Sequence, residues 1–88
     1  SNDVDVAPLE SVNYLFTTKT CPNCKLAKEY LKNETYVLID AEENMELAGR
    51  YGVLQAPSLV VVEGNRFRKY VNASNIKKYT QEHQPVNA

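Results

Sequence analysis

The stretch Thr20-Cys21-Pro22-Asn23-Cys24 holds both cysteines of this 88-residue chain, two residues apart and with a proline between them. The residues after it carry apolar side chains at the spacing of one helical face, which predicts a helix that begins at Pro22. Proline is favoured in the first turn of a helix, because the N–H that it lacks would have no intrahelical partner there. The dithiol is therefore predicted to stand where a helix begins.

This position favours thiol chemistry at the first cysteine. The Cys21 sulfur would lie over the helix N-terminus, where unpaired N–H groups and the positive end of the helix dipole stabilise an anion. The thiolate is the nucleophilic form of cysteine. The motif is thus predicted to be a redox-active dithiol, in which Cys21 attacks a disulfide and Cys24, one helical turn further in, resolves the product.

The composition is that of one small globular domain, with 43% hydrophobic and 24% charged residues. The net charge of -1 gives no reason to expect nucleic acid or an acidic membrane surface as a partner. No apolar run approaches the ~20 residues that span a bilayer, and no signal-peptide core is present. Two cysteines are too few for a disulfide-stapled secreted scaffold, so the pair is expected to be catalytic and the protein cytoplasmic.

Alternating apolar runs and helical patterns predict an α/β domain over 12–82, with the element order β-α-β-α-β-β-α. The predicted strands cover 12–17, 36–39, 58–62 and 66–71, and the predicted helices cover 22–33, 44–51 and 74–81. The first two strands should be parallel, since a helix connects them, and the last two should form an antiparallel hairpin. The result would be a four-stranded mixed sheet flanked by three helices.

The ends of the chain are expected to add little to this domain. Residues 1–11 are predicted to be an extended lead-in and residues 83–88 a frayed tail. The chain begins with Ser1-Asn2 rather than Met, so we expect either a whole small monomeric protein or part of a longer chain.

Several local details can be predicted from residue type. The first helix should bury the stripe Leu26, Ala27, Tyr30 and Leu31. The apolar run of residues 36–39 is of the kind found in buried strands. Gly52 is expected to end the second helix in the left-handed conformation. Asn72 or Ser74 is expected to cap the third helix.

Residues 12–79 resemble the thioredoxin superfamily, and most closely its glutaredoxin-like branch. Cys-Pro-x-Cys is the glutaredoxin form of the dithiol motif, and a Tyr-Gly-Val segment before a proline is typical of thioredoxins. Three stretches carry the resemblance: Phe16-Thr17-Thr18-Lys19-Thr20-Cys21-Pro22-Asn23-Cys24-Lys25, Tyr51-Gly52-Val53-Leu54-Gln55-Ala56-Pro57-Ser58 and Val62-Glu63-Gly64-Asn65.

The resemblance implies the thioredoxin fold and a thiol–disulfide oxidoreductase that reduces a protein disulfide with electrons from a reductase. It implies a cis peptide bond between Ala56 and Pro57 beside the dithiol. The backbone of Gln55 and Ala56 would then bind an extended substrate segment. No cofactor other than the Cys21–Cys24 disulfide is implied. A weaker likeness to redoxin units that serve ribonucleotide reductases, or are fused to anaerobic ones, suggests such a reductase as substrate.

The chain also departs from these families. It has no Trp, and Leu15 stands six residues before Cys21, where thioredoxins carry a buried Asp that shuttles protons. The Gly-Gly and acidic pair with which glutaredoxins hold glutathione are replaced by residues 71–74 (Val-Asn-Ala-Ser). Glutaredoxins commonly carry a lysine three residues before the first cysteine, whereas Lys19 stands two residues before Cys21. These departures count against glutathione as a ligand.

Lysines surround the dithiol. Lys19, with Thr20, Pro22 and Asn23, is assigned to the support of the active site, since an ammonium group near Cys21 would stabilise its thiolate and attract an acidic substrate. Two further lysines, Lys25 and Lys28, can be explained equally well as a solvated helix face.

Other functions remain open at this point. A zinc site needs four ligands, and His83 is the only histidine beside two cysteines, so no metal site is expected. The chain could be a docking module that holds a partner in the groove at Ala56–Pro57 without redox chemistry. It could also form a dimer around an iron–sulfur cluster that glutathione helps to ligate.

Overall fold

The chain folds in the predicted order β-α-β-α-β-β-α. The computed structural model describes residues 11–83. Its elements are β1 (Ser11–Thr17), α1 (Cys24–Tyr30), β2 (Val37–Asp40), α2 (Met45–Arg50), β3 (Ser58–Glu63), β4 (Arg66–Val71) and α3 (Asn72–Glu82). Apart from Ser11 and His83, the predicted lead-in and tail lie outside the described residues.

The four strands form one mixed sheet in the order β2-β1-β3-β4. β1 and β2 are parallel, with Tyr14 opposite Val37. β3 is antiparallel to both of its neighbours, and its first residue, Ser58, lies opposite Phe16 of β1 and Val71 of β4. The predicted mixed sheet is confirmed, and β1 and β3 are its central strands.

The core has two layers, one on each side of the sheet. Because successive residues of a strand point to opposite faces, Leu15 and Leu59 pack against α1 and α3, whereas Phe16 and Val60 pack against α2. The buried cluster on the first face is Leu15, Ala27, Leu31, Leu59, Ile76 and Tyr79. The buried cluster on the second face is Phe16, Ala48 and Val60. The helices thus lie two on one face and one on the other.

The first helix is shorter than the sequence predicts. It begins at Cys24 rather than Pro22, because the first hydrogen bond of the helical kind runs from the Ala27 N–H to the Asn23 C=O (3.0 Å). The helix ends at Tyr30, and a turn follows in which the Glu34 N–H donates a hydrogen bond to the Leu31 C=O (2.9 Å). No helix in the described part of the chain is long and apolar enough to cross a bilayer.

Two expectations of burial are wrong. Leu26 is 44% exposed, since α1 reaches the core through Ala27 and Leu31 and turns the neighbouring side chain outward. Val37 and Leu38 of β2 are about half-exposed. β2 is an edge strand of the sheet, so it has no second neighbouring strand, and an apolar run alone does not reveal this.

The turn after α2 is built as predicted. Gly52 adopts φ 63°, the left-handed region in which a side chain would be strained. Its carbonyl oxygen accepts a hydrogen bond from Lys69 Nζ at 2.7 Å, and the Val53 N–H returns to the Ala48 C=O at 2.8 Å. These contacts join α2 to β4 and fix the direction in which the chain enters residues 53–57.

Tyr79 closes the core at the far end of α3. Its ring lies 4.8 Å from that of Tyr70 and 4.2 Å from that of His83, centroid to centroid. Burial raises the pKa of the Tyr79 hydroxyl, and a hydrogen bond with Asn13 opposes part of that rise. The group is therefore protonated at neutral pH and acts as a structural hydrogen-bonding group.

Leu15→Ala is expected to lower the free energy of unfolding by about 3 kcal/mol, since it removes a wholly buried side chain and leaves a cavity between sheet and helices. Leu54→Ala is the matched control, because Leu54 is 94% exposed, and it should change stability by less than about 0.5 kcal/mol. Urea unfolding followed by circular dichroism measures both. Equal losses in the two variants would contradict this assignment of the core.

Candidate active site

The dithiol lies in the loop that leaves the carboxyl end of β1. Open α/β sheets place their sites at such strand ends. Cys21 and Cys24 form a disulfide, with their Cα atoms 5.3 Å apart. Cys24 is only 4% exposed, whereas Cys21 is half-buried. The accessible sulfur is therefore that of Cys21, as the sequence predicts.

The backbone of the motif is a tight turn that leads into α1. The Cys24 N–H donates to the Cys21 C=O at 3.2 Å, and Pro22 and Asn23 lie exposed between them. Pro22 thus precedes the helix instead of beginning it. The turn keeps the two sulfurs on the same side of the helix start, with Cys24 as the first helical residue.

Pro57 is buried at the same end of the sheet. It immediately precedes Ser58, which is paired with Phe16, so the antiparallel ladder brings it beside Thr17, where the dithiol loop begins. The Ala56–Pro57 peptide bond is cis, as the resemblance implies. The Ser58 hydroxyl donates to the Gln55 C=O at 2.7 Å. Within the described residues, neither the N–H nor the C=O of Ala56 has a backbone partner.

Asn72 ties this proline to the opposite helix, a contact that the sequence analysis missed. Its N–H donates to the Pro57 C=O at 2.8 Å, and its backbone has φ 69°. Its side-chain oxygen accepts hydrogen bonds from the Ser74 hydroxyl (2.7 Å) and the Asn75 N–H (3.2 Å). The N-cap of α3 is Val71, with no side-chain cap, so neither predicted residue is the cap. The Asn72 side chain binds within the first turn of α3 instead, and its N–H holds Pro57. Asparagine adopts the left-handed region more readily than most residues, so its presence at position 72 is the one feature of the sequence that indicates this backbone conformation.

Lys19 lies at the edge of the site and points towards α2. Its ammonium group pairs with Glu43 Oε2 at 3.2 Å, and both side chains are largely exposed. A pair of this kind contributes little stability. Lys25 and Lys28 are also exposed. Support of the Cys21 thiolate by Lys19 stays a prediction, as do the roles of Thr20, Pro22 and Asn23.

Leu15 fills the position at which thioredoxins carry an acid. It is wholly buried and belongs to the apolar cluster with Ala27 and Leu59. In the described part of the chain, every buried side-chain nitrogen or oxygen has a hydrogen-bond partner. The core beside α1 is therefore apolar at this point, and β1 offers Cys24 no carboxylate.

An open hollow of about 450 Å³ lies next to the Ala56–Pro57 segment. Thr18 and Gln55 line it on the side of the dithiol, and α2 forms its other wall. Leu54 (94% exposed) and Met45 (75% exposed) stand at its rim. No group of three or more metal-ligating side chains occurs among residues 11–83.

Asn72→Ala and Asn72→Gly separate the left-handed backbone of this residue from its side-chain hydrogen bonds. Both remove the side-chain hydrogen bonds, but only alanine is strained in the left-handed region, by about 1 kcal/mol. We therefore expect Asn72→Ala to be less stable than Asn72→Gly by roughly that amount in urea unfolding, because glycine carries no Cβ. Alanine that is as stable as glycine would contradict the left-handed assignment.

Comparison with known proteins identifies the fold. No protein-family model matches the chain, and no curated protein matches it. Many solved structures align with it. One is the germline-specific thioredoxin Deadhead of Drosophila melanogaster (TM-score 0.71, 22% identity, 88% of this chain and 82% of that one covered). Others are thioredoxin from Trypanosoma brucei brucei (TM-score 0.70, 20% identity, 82% and 70% covered) and mitochondrial thioredoxin 3 from Saccharomyces cerevisiae (TM-score 0.70, 18% identity, 85% and 80% covered). At such identities the likeness establishes architecture alone. The chain has the thioredoxin fold, with its dithiol at the end of the first described strand.

Proposed function

We propose that this protein is a thiol–disulfide oxidoreductase that reduces a disulfide of another protein. The observation that carries the proposal is the Cys21–Cys24 disulfide at the carboxyl end of β1, with one accessible and one buried cysteine. The Cα separation of 5.3 Å lies in the range of ordinary disulfides, so the backbone has the spacing that a Cys21–Cys24 disulfide requires.

The reaction follows from the exposure of the two sulfurs. In the reduced protein, the Cys21 thiolate attacks one sulfur of the substrate disulfide, forms a mixed disulfide and expels the other substrate sulfur as a thiolate that takes up a proton. The Cys24 thiolate then attacks the Cys21 sulfur, which releases the second substrate thiol. Two electrons have moved to the substrate, and the Cys21–Cys24 disulfide has formed again.

The surroundings of Pro57 favour an extended protein segment as substrate. Among residues 11–83 the backbone groups of Ala56 have no backbone partner, so they can pair with such a segment as one strand pairs with another. The hollow rimmed by Leu54 and Met45 begins at the adjacent Gln55 and can receive an apolar side chain. Exposed apolar surface of this kind is typical of a place where another protein docks.

Further details of the proposal rest on the sequence. We place the protein in the cytoplasm, since its two cysteines are used as an exchange pair rather than as a structural staple. A reductase would return the two electrons to the Cys21–Cys24 disulfide. A ribonucleotide reductase is the substrate suggested by the weaker resemblance of the domain, which mixes glutaredoxin-like and thioredoxin-like features, to redoxin units that serve such enzymes.

Substitution of each cysteine tests the mechanism. Cys21→Ser is expected to abolish disulfide reduction, because the accessible nucleophile is lost. Cys24→Ser should instead accumulate the mixed disulfide, visible as a covalent adduct in non-reducing electrophoresis and mass spectrometry. Full activity of Cys21→Ser would refute the proposal. Partner binding that survives replacement of both cysteines would favour the docking module.

The electron donor is expected to be a thioredoxin reductase rather than glutathione, since Val71 and Asn72 stand where glutaredoxins carry glycines that hold glutathione. The assay compares NADPH oxidation with thioredoxin reductase against NADPH oxidation with glutathione and its reductase, both with a protein disulfide as acceptor. Faster turnover with glutathione would contradict this expectation. Iron and colour in anaerobically purified protein would point to the cluster-bound dimer.

A further inference from the structure

We propose that the groove between α1 and α3 binds an acidic segment of the substrate protein, close to the disulfide that is reduced. The inference rests on the proposed function and names the chemistry of the substrate. We refer to this surface, defined by the residues given next, as the helix groove.

Two helical stripes form the walls of the helix groove. Its described lining consists of Asn23, Leu26, Tyr30, Asn72, Ala73, Ser74, Lys77, Lys78 and Gln81. On α1, Leu26 and Tyr30 are four residues apart, and on α3 the lining passes from residues 72–74 to 77–78 and then to 81, so each set lies on one side of its helix. The space between them is open and measures about 660 Å³. It is wide enough for the side chains of an extended peptide segment.

The helix groove begins at the exchange site. Asn23 lies between the two cysteines in sequence and lines one end of the groove, from which Tyr30 is two turns further along α1. Seven residues of helix span about 10 Å, which an extended segment covers in about three residues. A substrate cysteine at Cys21 would therefore bring side chains about three to five positions away into the groove.

The walls of the groove are apolar on one side and cationic on the other. Leu26 is partly exposed, and the Lys77 Nζ lies 5.6 Å from the centroid of the Tyr30 ring. Lys77 and Lys78 are both exposed. None of the nine described lining residues is acidic. Two ammonium groups beside an apolar wall match a segment that carries carboxylates together with an apolar side chain.

The other side of the exchange site has the opposite charge. Glu42 lines the hollow beside Gln55, and Glu43 and Glu46 lie in the first part of α2 and the turn before it. Lys19 pairs with Glu43, and Lys28 and Arg50 lie beside the same acidic residues. Glu42 is the one charged residue among the described residues that line the hollow beside Gln55. An acidic segment is therefore repelled from α2 and attracted towards α3. A bound substrate chain can extend from the dithiol towards α2 or towards α3, and the charges favour α3 for an acidic segment.

The test uses the Cys24→Ser protein with its Cys21 thiol reduced. The probes are short peptides that contain one cysteine as a 2-thiopyridyl disulfide. The Cys21 thiolate attacks the peptide sulfur, a protein–peptide disulfide forms, the old sulfur–sulfur bond breaks, and pyridine-2-thione leaves after uptake of a proton. Its absorbance gives the second-order rate constant. Two peptides carry a pair of glutamates about four residues before or after the cysteine, one carries glutamines and one carries lysines.

We expect one of the glutamate peptides to react roughly five-fold faster than the glutamine peptide at low salt, and the lysine peptide to react more slowly than the glutamine peptide. The advantage should disappear at about 0.5 M salt, at which screening acts over a few ångströms. Equal rates for all peptides would overturn the inference. If no peptide releases the thione, the proposed function itself fails, so the two failures are distinguishable.

Charge reversal locates the effect. Lys77→Glu/Lys78→Glu should reverse the ratio of the glutamate to the lysine rate. Lys28→Glu/Lys32→Glu is the matched control: it changes the net charge equally on exposed positions of α1 and the turn after it, none of which lines the helix groove. It should keep the preference for glutamate. A control that loses the preference as fully as the reversal variant would show an effect of net charge and would refute a specific groove.

Discussion

The burial of β1 on both faces is the constraint on which the rest of the structure depends. Leu15 and Phe16 are adjacent and both wholly buried, one under α1 and α3 and the other against α2. One dipeptide thus holds both layers on the sheet. The pairing of Phe16 with Ser58 also fixes the register of β3. That register brings Pro57 to the strand end from which the dithiol loop departs, so the site is set by the packing of the core.

The site itself joins parts that are distant in sequence. The cysteines come from the β1–α1 loop, the proline from the segment before β3, and Asn72 from the junction of β4 and α3. The hydrogen bond from the Asn72 N–H to the Pro57 C=O connects the start of α3 to the segment before β3. On either side of the cysteines lie two surfaces of different charge, one along α2 and one between α1 and α3. In the proposed function the dithiol carries out the exchange, and these surfaces distinguish between substrates.

The sequence predicts what depends on local pattern. The element order, the dithiol at a helix start and the left-handed Gly52 follow from periodicity, proline and glycine preferences. Exposure is harder to predict, because it depends on what lies next to an element in space. Leu38 is exposed since β2 is an edge strand, and Leu26 faces a groove that only exists once α3 is in place. The contact between Asn72 and Pro57 spans fifteen residues and has no local periodicity to reveal it.

The leucine at position 15 has a consequence for how a domain this small remains folded. A carboxylate at a wholly buried position would have to be desolvated, at a cost that small cores with little stability in reserve can hardly offset. Leucine removes that cost and adds apolar contact at the centre of the sheet. β1 therefore supplies no carboxylate next to Cys24, and in the proposed reaction the Cys24 thiol exchanges its proton with solvent or with the departing substrate sulfur.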